Sequence, residues 1–154
     1  MSCLDSALLI CAGAHMSFSE LISPLIGRLA LAWFFLSEVY TLARDWDGQV
    51  ALLTFANLPA APLLLALALM AMSLGGLSLL LGFHARHGAV LLFGFTAVAT
   101  VLMHDYWHLK DAGARAADYE IFARNIAISG GLLMIVGMGA GPFALDNSGQ
   151  KKKR

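Results

Sequence analysis

Apolar residues in this chain come in long runs, and the charges lie almost wholly between them. Four runs approach the length of about 20 residues that a helix needs to cross a bilayer. The first covers residues 21–43 and carries Arg28 and Glu38. The second, 62–82, has no charge at all. The third, 88–103, is short and is expected to continue through His104 to Trp107. The fourth covers 121–140. Pro24 and Pro62 suit first helical turns, where a missing N–H costs nothing, and Pro142 follows the last run and helps to stop it. The pattern predicts an all-α fold, an integral membrane four-helix bundle over residues 21–146. Residues 1–20 precede it as an N-terminal segment, and residues 147–154 follow as a basic cytoplasmic tail.

The polar stretches differ in kind. Residues 45–61 include the apolar heptad Val50 to Ala56, too short to span and suited to an amphipathic turn at the membrane surface. Residues 105–120 form a polar loop. The segment Ser6 to Ala14 is apolar, but no Lys or Arg precedes it and Asp5 stands where a signal peptide would carry positive charge. It either lies in the membrane interface or precedes a start at Met16, and the sequence leaves both open.

Composition agrees with a lipid solvent. Of 154 residues 59% are apolar and 13% charged, against roughly 25% charged in a soluble domain. A soluble fold of this size would lack the polar groups to cover its surface. Net charge is zero, so distribution carries the information. Four spans put both termini and the loop His84 to His87 on one side, which holds Arg86, the tail Lys151 to Arg154 and, nearby, Arg28. The other side holds Arg44, Lys110, Arg115 and Arg124 among many acids, which count for little. This places both termini in the cytoplasm and the tail against anionic lipid. Cys3 and Cys11 have neither C-x-x-C spacing nor a His/Cys cluster beside them, so neither a disulfide framework nor a zinc site is indicated. Nothing in the chain suggests a nucleic-acid surface.

In lipid, small residues let helices approach closely. Ala71, Gly75, Ser78 and Gly82 form one such stripe. Ala123, Ala127, Gly130 and Gly131, with Gly137 and Gly141 beyond, form another, and both are expected to tighten the bundle.

Several of these residues carry a family resemblance. The run Phe122-Ala-Arg-Asn-Ile-Ala-Ile-Ser-Gly-Gly-Leu-Leu133, the ending Gly139-Ala-Gly-Pro-Phe-Ala-Leu-Asp146, the second-helix Gly75-Gly76 to Gly82 and Arg28 together resemble the DoxX family of small bacterial four-helix membrane proteins. The similarity covers residues 25–146. It departs at Leu36-Ser37-Glu38-Val39, where many members have Ser-Gly, and at Met72, where a glutamate often stands. The resemblance implies a bacterial inner-membrane protein associated with redox or thiol-stress roles, at most a membrane subunit of an oxidoreductase such as a thiosulfate:quinone oxidoreductase. No shared catalytic set comes with it.

An ionisable side chain inside a span costs about 2.5–3.5 kcal/mol at the helix centre on insertion scales, so each needs a reason. Arg28 is close enough to the inner end to snorkel to headgroups as an anchor. Glu38, in the outer third of its helix, needs a partner from another helix. Topology brings His104, Asp105, His108, Glu120, Arg124 and Asn125 toward the same end. These predict an outer-leaflet pocket of Glu38, His104, His108, Arg124 and Asn125, with Arg124 as ion partner of Glu38. Such groups could hydrogen-bond a quinone and relay its protons. A structural polar network holding three helices in register explains them slightly better. His104 and His108 at i and i+4 would suit a metal geometrically, but no third ligand supports one. Tyr106 and Trp107 fit the interfacial aromatic belt. The functional readings are therefore a quinone-linked redox subunit with a membrane or periplasmic redox partner, a non-catalytic scaffold in a larger membrane complex, or a carrier of lipid or a small molecule.

Overall fold

The computed structural model describes residues 18–104, 106–139, 141, 144 and 145. The N-terminal segment with both cysteines, Asp105, Pro142 and the basic tail lie outside the described residues. Five α-helices and one 3-10 turn follow in order: α1 (Phe18–Arg44), α2 (Trp46–Phe55), α3 (Ala61–Leu81), α4 (Ala85–Met103), the turn Tyr106–His108, and α5 (Ala112–Met138). No strand occurs among the described residues. The four long helices, α1, α3, α4 and α5, are each apolar and long enough to cross a membrane. They pack in chain order as an antiparallel bundle, α1 on α3, α3 on α4 and α4 on α5, while α5 meets α1 more sparingly to close the ring. One end carries α2 and the 104–111 connection and is called the loop end. The other, with the 82–84 turn and residues beyond 138, is the terminal end.

Local chemistry explains the boundaries. Pro62 lies at the opening of α3, where it gives up no hydrogen bond. Pro24, expected in a first turn, lies inside α1, because that helix begins earlier, at Phe18. The α3–α4 connection is tight: Gly82 adopts φ +66° and His84 φ +50°, and the Ser78 hydroxyl donates to the Phe83 carbonyl at 2.7 Å. Helix α5 starts nine residues before the expected Ile121, at Ala112. Asp111 caps it, accepting from the Ala114 N–H at 2.7 Å, which satisfies one of the orphan donors of the first turn. The expected surface turn near residues 50–56 is a full helix, α2, with no buried residue and with Phe55 88% exposed.

The core joins Ala32 and Phe35 of α1, Met72 and Leu79 of α3, Ala85, Ala89 and Leu92 of α4, and Leu132 and Ile135 of α5. Met72, standing where the family resemblance expects a glutamate, is an ordinary core side chain. Close approach of α3 and α4 depends on Gly75, whose missing side chain leaves room for Leu92. The second small-residue stripe behaves differently. A Cβ added at Gly131 would meet Leu31 at ordinary contact distance, but one added at Gly130 or Gly137 would meet nothing within 4 Å. They face outward, as do Ala123 and Ala127.

Candidate functional site at the loop end

Helix α4 ends at Met103, one turn short of the expected continuation, and His104 caps it in a non-helical conformation. His104 and His108 therefore share no helix face. His104 turns instead toward α5: its Nδ1 lies 2.7 Å from Oδ1 of Asp118, with the two side chains 21% and 18% exposed. A carboxylate at that distance takes the Nδ1 proton as its hydrogen bond, which orients the ring and turns Nε2 to other partners. Asp118 is the residue that sequence reasoning missed. It belongs to α5 only because that helix begins at Ala112, and the Asp111 cap was the available signal.

Around this pair the 3-10 turn is fastened by rings. Tyr106 packs on Tyr119 and Phe122 with centroids 5.3 and 5.2 Å apart, and Trp107 lies edge-on to Phe122 at 6.5 Å. His108 is exposed and lies edge-on to Trp107 with centroids 6.0 Å apart. Below His104 on the same face of α4, at spacings of four, come Thr100 and Thr96, both buried. The Thr100 hydroxyl donates to the Thr96 carbonyl at 2.6 Å, while the Thr96 hydroxyl has no hydrogen-bond partner among the described residues. A polar line thus runs from the bundle interior to the imidazole.

The expected pocket is only partly assembled. Arg124 stacks its guanidinium 5.6 Å from the ring of Phe34, and it forms no ion pair among the described residues. Phe34 lies one turn below Glu38, so Arg124 reaches the neighbourhood of Glu38 without pairing with it. Glu38 and Asn125 are half-buried, and Glu38 forms no hydrogen bond or ion pair among the described residues. Glu120 is exposed on α5. No cluster of three metal-ligating side chains occurs among the described residues.

Arg28 departs furthest from expectation. A headgroup anchor should reach out of the bundle, yet Arg28 is 3% exposed. The described residues beyond α5 lie across the terminal end, close to it. Gly141 lies against Pro24, Gly139 beside the Arg86 guanidinium, and Ala144, 7% exposed, against Gly82, which the Arg28 guanidinium also flanks. Gly139, Gly141 and Ala144 of the glycine-rich ending singled out in the sequence form this strap.

The family model for DoxX matches residues 23–105, more than half of the chain. The chain belongs to the DoxX family. Two curated relatives span nearly the same length. It is 28% identical to the inner membrane protein YphA of Escherichia coli K12 over 123 residues, 79% of this chain and 86% of that protein. It is 26% identical to the inner membrane protein YqjF of the same organism over 133 residues, 86% of this chain and 96% of that protein. No solved structure matches. With four apolar spans and inner-membrane relatives, this is a DoxX-family protein of the inner membrane.

Proposed function

We propose that this DoxX protein is a quinone-linked, redox-associated membrane subunit whose headgroup site lies at the loop end. The observation that supports it is the Asp118-oriented imidazole of His104, set beside an aromatic cluster and above a buried polar line. A quinone presents two carbonyl acceptors on a flat apolar ring, and aromatic walls with one oriented nitrogen donor or acceptor suit that shape. Reduction to the quinol takes two electrons and two protons. In this reading His104 takes a proton at Nε2 from solvent, Asp118 holds the imidazolium so formed, and Nε2 then gives that proton to a quinone oxygen and returns to neutral imidazole, while the second proton comes directly from solvent. The electrons come from a partner carrying a thiol pair or a reduced sulfur oxyanion. Two thiols, for example, release two electrons and two protons as they join in a disulfide. This chain has only Cys3 and Cys11 and no C-x-x-C, so that oxidation belongs to the partner. With both termini cytoplasmic, as the Lys/Arg distribution argues, the site opens to the periplasmic side.

The test is direct. Protein purified from native membranes should carry extractable quinone, and Asp118→Asn and His104→Phe should each lower it at least tenfold without changing the elution profile. Wild-type protein without quinone, or full retention in both variants, would end this reading. A non-catalytic assembly subunit is the second reading, supported by the outward small-residue face of α5. It requires a membrane partner that co-purifies with wild type and is lost when Gly130 is replaced by Leu.

A further inference from the structure

The outward face of α1 carries a groove that the loop-end site does not use. It has a volume of about 870 Å³ and is lined by Ile26, Leu29, Ala30, Trp33, Leu36, Ser37 and Tyr40 of α1 with Leu80 of α3. Its floor exists because Ala30 and Ser37, two turns apart, are small between large neighbours. The one hydroxyl on that floor is turned away, since Ser37 donates to the Phe34 carbonyl at 2.8 Å. The lining is therefore almost wholly apolar. From Ile26 to Tyr40 it runs about 21 Å along the helix, at about 1.5 Å per residue, which is most of one bilayer leaflet and part of the next. Trp33 stands 76% exposed in the middle of this span, far from the interfacial belt where indoles normally sit.

A cation stands at the loop-end mouth of the groove. Arg44 falls on the same helix face as Trp33 and Tyr40, and its Nη1 donates to the Tyr40 hydroxyl at 3.2 Å. It forms no ion pair among the described residues. Neighbouring Asp45 is engaged elsewhere, accepting from Gln49 Nε2 at 3.3 Å. An apolar channel of acyl-chain length that ends at a guanidinium with no carboxylate in ion-pair contact, held by a phenol at headgroup level, has the polarity of an anionic phospholipid.

We infer that this face of α1 is a binding site for one anionic phospholipid, with an acyl chain along Ala30, Trp33 and Ser37 and its phosphate at Arg44 and Tyr40. The site is separate from the His104–Asp118 pair and does not depend on the redox reading. A single basic side chain at an anionic surface contributes about 1 kcal/mol, so the expected selectivity is about fivefold.

The experiment uses full-length protein with Trp46→Phe and Trp107→Phe, leaving Trp33 as the reporter, in phosphatidylcholine vesicles. A small fraction of either phosphatidylglycerol or phosphatidylcholine with brominated chains is added as quencher. Trp33 should report about fivefold local enrichment of the brominated phosphatidylglycerol over the brominated phosphatidylcholine. Arg44→Ala should reduce that ratio to about one, and Arg44→Lys should keep most of it. Ala30→Leu, which fills the floor and leaves Arg44 in place, should lower quenching by both lipids. Equal quenching by both lipids in the Trp33 reporter would overturn the inference, as would a preference that survives Arg44→Ala. Protection of Trp33 from both lipids would also overturn it, since a protein neighbour would then cover the groove.

Discussion

Helix α5 is two helices in packing terms. Its terminal half buries Leu132 and Ile135 in the core, but none of its residues from Ala112 to Gly131 is buried. The same division runs through the bundle. At the terminal end, Gly75 lets α3 and α4 close up, the 82–84 turn is pinned by Ser78, and the strap through Gly141 and Ala144 encloses Arg28. At the loop end, the His104–Asp118 pair keeps about a fifth of its surface exposed, and Glu38 sits half-buried without an ionic partner among the described residues. One chain thus treats polar groups in two ways. Where packing is dense, a cation is enclosed and becomes part of the structure. Where it thins, ionisable groups stay reachable from outside the bundle.

Substitutions can break or sharpen that contrast. The largest effect is expected from Gly82→Val. Its φ of +66° disfavours a β-branched residue, and a Cβ there would lie 2.6 Å from Arg28 Nη1 and 2.9 Å from the Ala144 backbone. A loss of about 3 kcal/mol follows from strain and overpacking together, to be read from equilibrium unfolding in mixed detergent micelles. Quinone content per folded molecule should stay unchanged, which separates the two ends. Asp118→Asn should show the reverse: the at least tenfold loss of quinone with less than about 1 kcal/mol of stability, because a partly exposed pair contributes little to folding. A larger stability loss there would make the pair structural and erase the distinction. The smallest effect belongs to Gly130→Leu. Nothing lies within 4 Å of its added side chain, so stability of the isolated chain should stay within about 0.5 kcal/mol of wild type.

The spans were legible because each is a run of apolar residues of bilayer length, and that signal needs no knowledge of neighbours. The boundaries were less so. Helix α5 extends back to Ala112 through Arg115, Asp118 and Glu120, charges that hydropathy assigns to a loop and that only the Asp111 cap hints are helical. That error concealed the site's central pair, since His104 and Asp118 are fourteen residues apart with a turn between them. Arg124, expected to pair with Glu38, instead faces the Phe34 ring. Pairing by charge alone ignores that a guanidinium also stacks on an aromatic face. The burial of Arg28 has a tertiary origin that local sequence does not display, since Ala144, which packs beside it on Gly82, is more than a hundred positions away in sequence. The outward direction of Gly130 and Gly137 was equally invisible, because a small-residue stripe does not say which neighbour it faces.

The strap has a consequence for biogenesis. Synthesis proceeds from the N-terminus, so Arg28 enters the bilayer long before Gly139, Gly141 and Ala144 have been made. Until the last helix is inserted and the chain doubles back, that guanidinium must be shielded by lipid phosphate, by water or by the insertion machinery. A nascent chain that stalls before Gly139 leaves an arginine uncovered in the membrane, a mark by which quality-control proteases could tell unfinished copies from finished ones.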